Sequence, residues 1–518
     1  MRRLFFLISV PLLLLIGAVG YYHPAVLWSL LVVGPLFLLG LYDAFQLRHT
    51  ILRNFPVLGH FRYLFEFIAP ELQQYFIERS TDGKPFSRHH RDLAYRRSKN
   101  VDDSTPFGTQ LELNRGNYEG LRHSIYPSPV REEAPRVRIG GERCTRHYDA
   151  SLLNISAMSF GALSANAVLA LNAGAKKGGF YHNTGEGGLS EYHLRHGGDL
   201  VWQIGTAYFG CRTLEGAFDP ELFKQKAAHK QVRMIELKIS QGAKPGHGGV
   251  LPAAKNSAEI AGIRHVTPHT IVLSPPGHTA FSDAEGLLRF MDELRTLSGG
   301  KPVGFKLCIG RTEEFIDICR AMAEGAPLPD FITVDGAEGG TGAAPLEFND
   351  SVGLPIEPAL IFVHTTLAHF KLRDKLKVIA SGKVLTAASL LKMLATGADL
   401  CNSARGFMFS LGCIQAIRCN TNTCPTGVTT QNKALMRGLV VTDKSERVYH
   451  FHKNTLKGVM ELLAACGKHD ITDIGMDMFV RGNEFTTLED DYYPDSLNTD
   501  WRKQVMYPGA PAERRSNT

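Results

Sequence analysis

Eight short, apolar, β-branched runs punctuate residues 150–410, most of them followed by a Gly-rich or polar turn and then a helical stretch. They lie at 152–157, 180–183, 234–239, 270–273, 303–307, 331–334, 377–380 and 399–402. Continuously apolar strands alternating with helices belong to a parallel sheet buried on both faces. Eight such units in about 260 residues predict an α/β fold, a (β/α)8 TIM barrel. A ninth run, 201–205, reads as part of an insertion after the second strand. An open doubly wound sheet is the rival, but no GxGxxG follows a first strand.

The active site of such a barrel lies at the C-terminal ends of its strands, and the polar and glycine residues gather there. Ser156 and Met158 follow the first run, and Asn183-Thr184-Gly185-Glu186-Gly187-Gly188 the second. Lys238 ends the third, with Gln241-Gly242-Ala243-Lys244 beyond it. Lys306 lies on the fifth, and Asp335-Gly336-Ala337-Glu338-Gly339-Gly340 follows the sixth. Gly382-Lys383 and Arg405-Gly406 follow the last two. One such glycine is a plain turn; glycines after most of the strands form a ligand-binding rim. Beside the last two strands they would let backbone N–H groups close on a phosphate. Lys306 would place a cation near a ring that becomes anionic on reduction, or else pair with a core carboxylate. Glu186 is free to face a substrate, and Lys238 and Lys244 suit a dicarboxylate; each lysine alone also reads as a surface charge.

Nine cysteines in 518 residues form no disulfide scaffold and fit a reducing compartment. Three of them, Cys413, Cys419 and Cys424, make a C-x5-C-x4-C group with Pro425 after the last. Thiolates this close usually bind metal. Spacing leaves an iron–sulfur cluster, zinc and plain buried cysteines all open. The net charge of +6 is dispersed and excludes a nucleic-acid binder.

Residues 4–42 contain no Asp, Glu, Lys or Arg, nearly twice the ~20 residues needed to cross a bilayer. Tyr21, Tyr22, His23 and Pro24 interrupt the stretch, which reads as two spans, about 4–20 and 25–42, joined by a tight turn. Arg2 and Arg3 before the pair and Arg48 and Arg53 after it place both ends inside. A cleaved signal peptide is the rival, and the second apolar run argues against it. The expected organisation is a transmembrane hairpin at 1–46, a juxtamembrane extension at 47–145, the barrel with its cysteine loop at 146–480, and a C-terminal tail at 481–518 that is polar and frayed from about 490. The localisation expected is the inner (cytoplasmic) membrane, with the catalytic domain facing the cytoplasm.

The stretches ISAMSFGALS, NTGEGG, ELKISQGAKPGHGG, ITVDGAEGGTGAAPL and GCIQAIRCNTNTCPTGVTTQ together resemble the FMN-binding synthase domain of the glutamate synthase family, over about residues 150–435. The chain is most similar to the family's short, single-domain members. The resemblance implies an FMN- and iron–sulfur-dependent oxidoreductase that reduces 2-iminoglutarate, formed from 2-oxoglutarate and ammonia, to L-glutamate. It implies FMN among Ser156, Met158, Gln203, Lys306, Asp335, Gly340, Gly382, Lys383 and Gly406. It assigns Glu186, Lys238 and Lys244 to substrate and catalysis, and a [3Fe-4S] cluster to Cys413, Cys419 and Cys424. Ferredoxin or another electron-donor protein is implied as partner, and so is an ammonia-supplying subunit. Two departures stand out. No cysteine precedes Cys144, so the glutaminase nucleophile of the large enzymes is not expected. Where those enzymes read GEGGQLP, this chain has Gly246-His247-Gly248-Gly249-Val250-Leu251-Pro252, replacing a glutamine by Val250. The alternative function is a related flavin oxidoreductase acting on another amino or hydroxy acid and exchanging electrons with a membrane quinone.

Overall fold

The computed structural model describes residues 1–113, 118–482 and the backbone of 486–487. The frayed tail expected near 490–518 lies outside the described residues. The chain divides into two units, Met1–Arg88 and His89–Thr518.

In the first unit, helices Arg2–Tyr22 and Pro24–Phe45 are each long and apolar enough to cross a membrane. The second opens as a 3-10 turn, Pro24–Ser29. The break falls at His23, whose φ of −131° and ψ of 87° leave the helical region. Pro24 enforces it, because a proline disfavours helical backbone in the residue before it. The helices meet through Phe5 and Phe37, whose rings stack 6.0 Å apart. Gly40 makes room: a Cβ there would lie 2.2 Å from the Phe5 ring. Asp43, at the end of the second helix, is fully buried. It accepts hydrogen bonds from Val57 N at 2.9 Å and pairs with His60 Nε2 at 3.0 Å. Helix Gly59–Leu72 leaves Phe61, Phe65 and Phe67 exposed.

The second unit is built on a closed barrel of eight parallel strands. We number them β1 (Leu153–Ile155), β2 (His182–Asn183), β3 (Leu200–Ile204), β4 (Val232–Lys238), β5 (Val303–Leu307), β6 (Phe331–Asp335), β7 (Lys377–Ser381) and β8 (Leu400–Ser403). Each pairs with the next, and β8 closes on β1 through Cys401–Leu153 and Ser403–Ile155. Every residue of β3, β5 and β6 is buried, as strands wrapped by helices require. Outer helices start on side-chain caps: Ser164 accepts from Ala167 N, Asp219 from Glu221 N and Leu222 N, and Asp283 from Gly286 N. Each cap satisfies N–H groups that the helix itself leaves without partners. Helix Ala165–Gly178 packs on the long helix Val441–Ala465, and a Cβ at Gly174 would stand 2.5 Å from Val448.

The expected fold class holds, but two strand assignments exchange places. The run at 201–205, read as an insertion, is barrel strand β3. The run at 270–273, read as the fourth strand, lies outside the barrel; Val272–Leu273 pairs antiparallel with Val250–Leu251 in a hairpin. Burial explains the exchange. Ile271 and Leu273 are exposed, whereas a barrel strand is covered on both faces. The link from β2 to β3 carries only the single helical turn Glu191–Leu194, too short to mark a full β/α unit in the sequence.

Two buried histidines brace the outer layer. His452 stacks on Phe180 with ring centroids 3.9 Å apart and hydrogen-bonds Ser151 Oγ through Nε2 at 2.9 Å. His193 Nδ1 lies 2.8 Å from Ser190 Oγ. Burial pushes both imidazoles down to about 3, with Arg136 adding to the effect at His452. In the unfolded chain they titrate near 6.5. The unfolded state therefore binds more protons below that pH, and stability is lost as pH falls from about 6.5 toward 3. We expect a loss on the order of 3 kcal/mol per histidine by pH 4. Urea midpoints between pH 7 and 4 should fall steeply, and His452→Gln should flatten the slope; an unchanged slope would refute the assignment.

Candidate functional site

The C-terminal mouth of the barrel collects an unusual density of buried charge. Glu186 leaves the loop after β2, which turns sharply at Gly185 (φ 65°) and presses on the loop after β1: a Cβ at Gly185 would lie 2.6 Å from Ser159 N. Glu186 Oε1 meets Lys238 Nζ, at the end of β4, at 2.8 Å. Burial alone would raise the Glu186 pKa, but Lys238, with smaller help from Arg264 and Lys244, brings it below the usual carboxylate value, so the group is ionised. Lys238 is further framed by His278, whose Nε2 donates to the Lys238 carbonyl at 2.9 Å. Burial pushes His278 down to about 4, keeping it neutral.

Lys244 Nζ donates to Ala343 O at 2.7 Å. Burial pushes its pKa down to about 8, partly opposed by Glu186. Glu186, Lys244 and Arg264 line one cleft of about 80 Å³, together with Val250, Lys255 and Cys419. Lys238 reaches this cleft through its bond to Glu186. Arg264 was not singled out from the sequence. It ends the short helix Ala258–Arg264 and is 4% exposed, with Nη2 donating to Phe160 O at 3.1 Å. Burial lowers its pKa to about 10, and its Nε is buried with no partner among the described residues. A buried guanidinium with a spare donor suits a carboxylate. Its surroundings come from residues about a hundred positions upstream, which no local pattern reveals.

A second charged group lies deeper. Lys306 Nζ, on β5, pairs with Asp335 Oδ2 at 3.3 Å, and Gly242 N donates to the same oxygen at 2.8 Å. Burial would lower the Lys306 pKa, but Asp335 and then Glu236 outweigh it and the net shift is upward. The lysine is thus both a core ion pair and a fixed cation at a strand end. Gly242 is obligatory, since a Cβ there would fall 1.7 Å from Gly336 O. Gln203 on β3 donates through Nε2 to Glu236 Oε1 at 2.6 Å. Ser156 Oγ lies 3.4 Å from Ser381 Oγ, at the ends of β1 and β7. Met158 is partly exposed in the loop beyond β1.

The last two strands carry the tight turns. Lys383 follows Gly382 with a left-handed φ of 46°. A Cβ at Gly382 would approach Ile356 to 2.9 Å, and one at Gly406 would approach Ser403 Oγ to 2.6 Å. Gly340 lies under Arg405, which donates to Glu338 O at 2.7 Å.

The cysteine loop is tightly wound, with left-handed backbone at Gln415, Ile417 and Asn422. Gln415 N donates to Cys413 Sγ at 3.5 Å, and Thr426 Oγ1 lies 3.4 Å from Cys424 Sγ. Burial raises the Cys424 thiol, but hydrogen bonds from Thr426 and Thr429 overcome it and bring it down to about 7. Burial pushes Cys413 up to about 12. Among the described residues no three His, Cys, Asp or Glu side chains converge tightly enough to hold one metal ion. Lys255, 2% exposed, donates to Ala162 O at 3.0 Å near Cys419 and Cys424. Asn422 Nδ2 ties the loop to Ala254 O at 3.0 Å.

A family model described as a conserved region in glutamate synthase matches residues 129–469. The glutamate synthase large subunit-like protein YerD of Bacillus subtilis (strain 168) is 40% identical over 466 residues, covering 82% of this chain and 88% of YerD. The archaeal glutamate synthase (NADPH) of Methanocaldococcus jannaschii is 34% identical over 321 residues, 62% of this chain and 60% of that enzyme. The glutamate synthase (NADPH) large chain of Azospirillum brasilense is 31% identical over 323 residues, which is 61% of this chain and 20% of the large chain. The chain belongs to the glutamate synthase family and is an oxidoreductase of that kind.

Proposed function

We propose that the chain reduces 2-iminoglutarate, formed from 2-oxoglutarate and ammonia, to L-glutamate, using FMN and a [3Fe-4S] cluster. One observation carries the substrate reading: the ionised Glu186, Lys244 and Arg264, whose buried Nε has no partner among the described residues, line a single cleft. Two buried cations suit the two carboxylates of a dicarboxylic acid. A carboxylate between them suits a protonated imine, because it accepts from the N–H and holds the nitrogen positive while carbon is attacked. The balance is simple: the iminium carbon gains a hydride, the C=N double bond becomes single, and the amine forms without a further proton.

FMN, when bound, supplies that hydride. The residues present suit it: Lys306 is a fixed cation for the reduced ring, Gln203 offers an amide, and Lys383 with the glycine turns at Gly382 and Gly406 would hold a phosphate. Ser156, Met158, Asp335 and Gly340 complete the proposed FMN surround. A cluster suits Cys413, Cys419 and Cys424, with Gln415 N donating to the Cys413 sulfur and Thr426 Oγ1 beside that of Cys424. Electrons are supplied by ferredoxin or another donor protein, and ammonia by solution or a partner subunit. The test is anaerobic reoxidation of dithionite-reduced protein with 2-oxoglutarate plus ammonium. Glutamate should form with ammonium and not with glutamine; no reoxidation would overturn the reading.

A second reading, another amino or hydroxy acid with electrons exchanged with a membrane quinone, is favoured by Val250, which presents an apolar side chain to the cleft. Restored turnover of 2-oxoglutarate in Val250→Gln, with none in the unaltered chain, would favour it.

We also propose that the N-terminal helices form a transmembrane hairpin at 1–46 that anchors the protein to the cytoplasmic membrane, with the extension 47–145, the barrel 146–480 and the tail from 481 on the cytoplasmic side. Deleting residues 1–45 should move the protein from the membrane fraction to the soluble one with its FMN retained. A truncated chain still in the membrane fraction would refute the anchor.

A further inference from the structure

Glu236 lies on β4 with 1% exposure, and nothing in the proposed reaction uses it. Three donors converge on its carboxylate. Asn183 Nδ2 and Gln203 Nε2 reach Oε1 at 2.8 and 2.6 Å, and Thr333 Oγ1 reaches Oε2 at 2.7 Å. The orientation of this network is fixed by backbone. Asn183 Oδ1 accepts from Gly185 N at 3.1 Å. A backbone N–H cannot accept, so the nitrogen of Asn183 must face Glu236, and Oε1 of Glu236 must be an acceptor. Gln203 is then constrained too: its own oxygen turned toward a carboxylate would set lone pair against lone pair. The Gln203 main chain is pinned as well, its N–H donating to Thr184 Oγ1 at 3.1 Å. The outcome is a glutamine whose Oε1 receives no hydrogen bond among the described residues and points away from Glu236.

We propose that Glu236 is a positioning residue that locks the Gln203 amide so that its oxygen presents an acceptor to a ring N–H of the bound flavin. The inference rests on the flavin reading given above. Oxidised isoalloxazine carries one such donor, N3–H. A carboxylate suits the task because Oε1 offers only lone pairs to the two amides. Glu236 also helps to keep Lys306 charged, and its effect on the flavin N3–H runs through Gln203.

The full-length chain, freed of flavin, is titrated with FMN and with N3-methyl-FMN by fluorescence quenching. The unaltered protein should prefer FMN by about tenfold or more, the value of one buried hydrogen bond. Glu236→Gln can still accept from both amides through its oxygen while its nitrogen donates to Thr333, so it should keep that preference. Glu236→Leu, and Glu236→Asp with its carboxylate withdrawn by one methylene, should bind FMN while the preference collapses toward one. Glu236→Asp carries the test should Glu236→Leu fail to fold. Full discrimination in the Asp or Leu variant, or its loss in Glu236→Gln, would overturn the proposal. An unaltered chain that binds FMN without discrimination overturns this inference alone; one that takes up neither flavin overturns the flavin reading with it.

Discussion

Glu186→Gln should lower the rate of glutamate formation by about a hundred- to a thousandfold while leaving FMN content unchanged. The magnitude is that of removing one preorganised electrostatic contact at the reacting centre. In the folded protein Glu186 is ionised and bonded to Lys238 at 2.8 Å. The amide can still accept a hydrogen bond, but it cannot hold a positive nitrogen, so the iminium loses its counter-charge at the moment of attack. Lys238 is left as a buried ammonium without its partner, which costs further stability. Single-turnover reoxidation of reduced protein, with 2-oxoglutarate and ammonium in excess, separates this from weakened binding. A variant rate within threefold of the unaltered protein would remove Glu186 from the reaction.

Cys419→Ser should abolish turnover driven by an electron-donor protein and spare turnover of chemically reduced flavin. Oxygen is a poor replacement for thiolate at iron, and Cys419 lines the cleft from which Glu186 and Lys244 act. The unaltered protein, purified without air, should contain roughly three iron per chain and show the EPR signal of an oxidised three-iron centre. Cys401→Ser should change neither, because Cys401 is a buried residue of β8 paired with Leu153 in the barrel wall. Stoichiometric zinc without iron, or donor-driven turnover surviving in Cys419→Ser, would refute the cluster.

The sequence is legible where the physics is local. Strand number follows from runs such as 303–307 and 331–334, whose residues are all buried in β5 and β6. The glycines at 185 and 242 announce tight turns, and both prove to be places where a Cβ would strike backbone. Reading fails where burial depends on distant chain. The run at 270–273 is as apolar as β3, yet its Leu273 faces solvent in a hairpin, and only the completed barrel decides between the two. Arg264 and Glu236 escaped for the same reason. Their partners, Phe160 for the first and Asn183, Gln203 and Thr333 for the second, come from loops and strands that meet only in the folded barrel.

A cluster held by Cys419 and a dianion beside Glu186 would feel each other's charge, because the two residues line one cleft and Asn422 fastens the cysteine loop to Ala254, between the lining residues Pro252 and Lys255. A dianion entering that cleft would make an added electron on the cluster less welcome, and thermodynamic reciprocity requires that a reduced cluster would hold the dianion less tightly. The shared cleft would then act as an exchange: an incoming acid would urge the stored electron onward, and the oxidised centre would secure the acid until the next electron arrived.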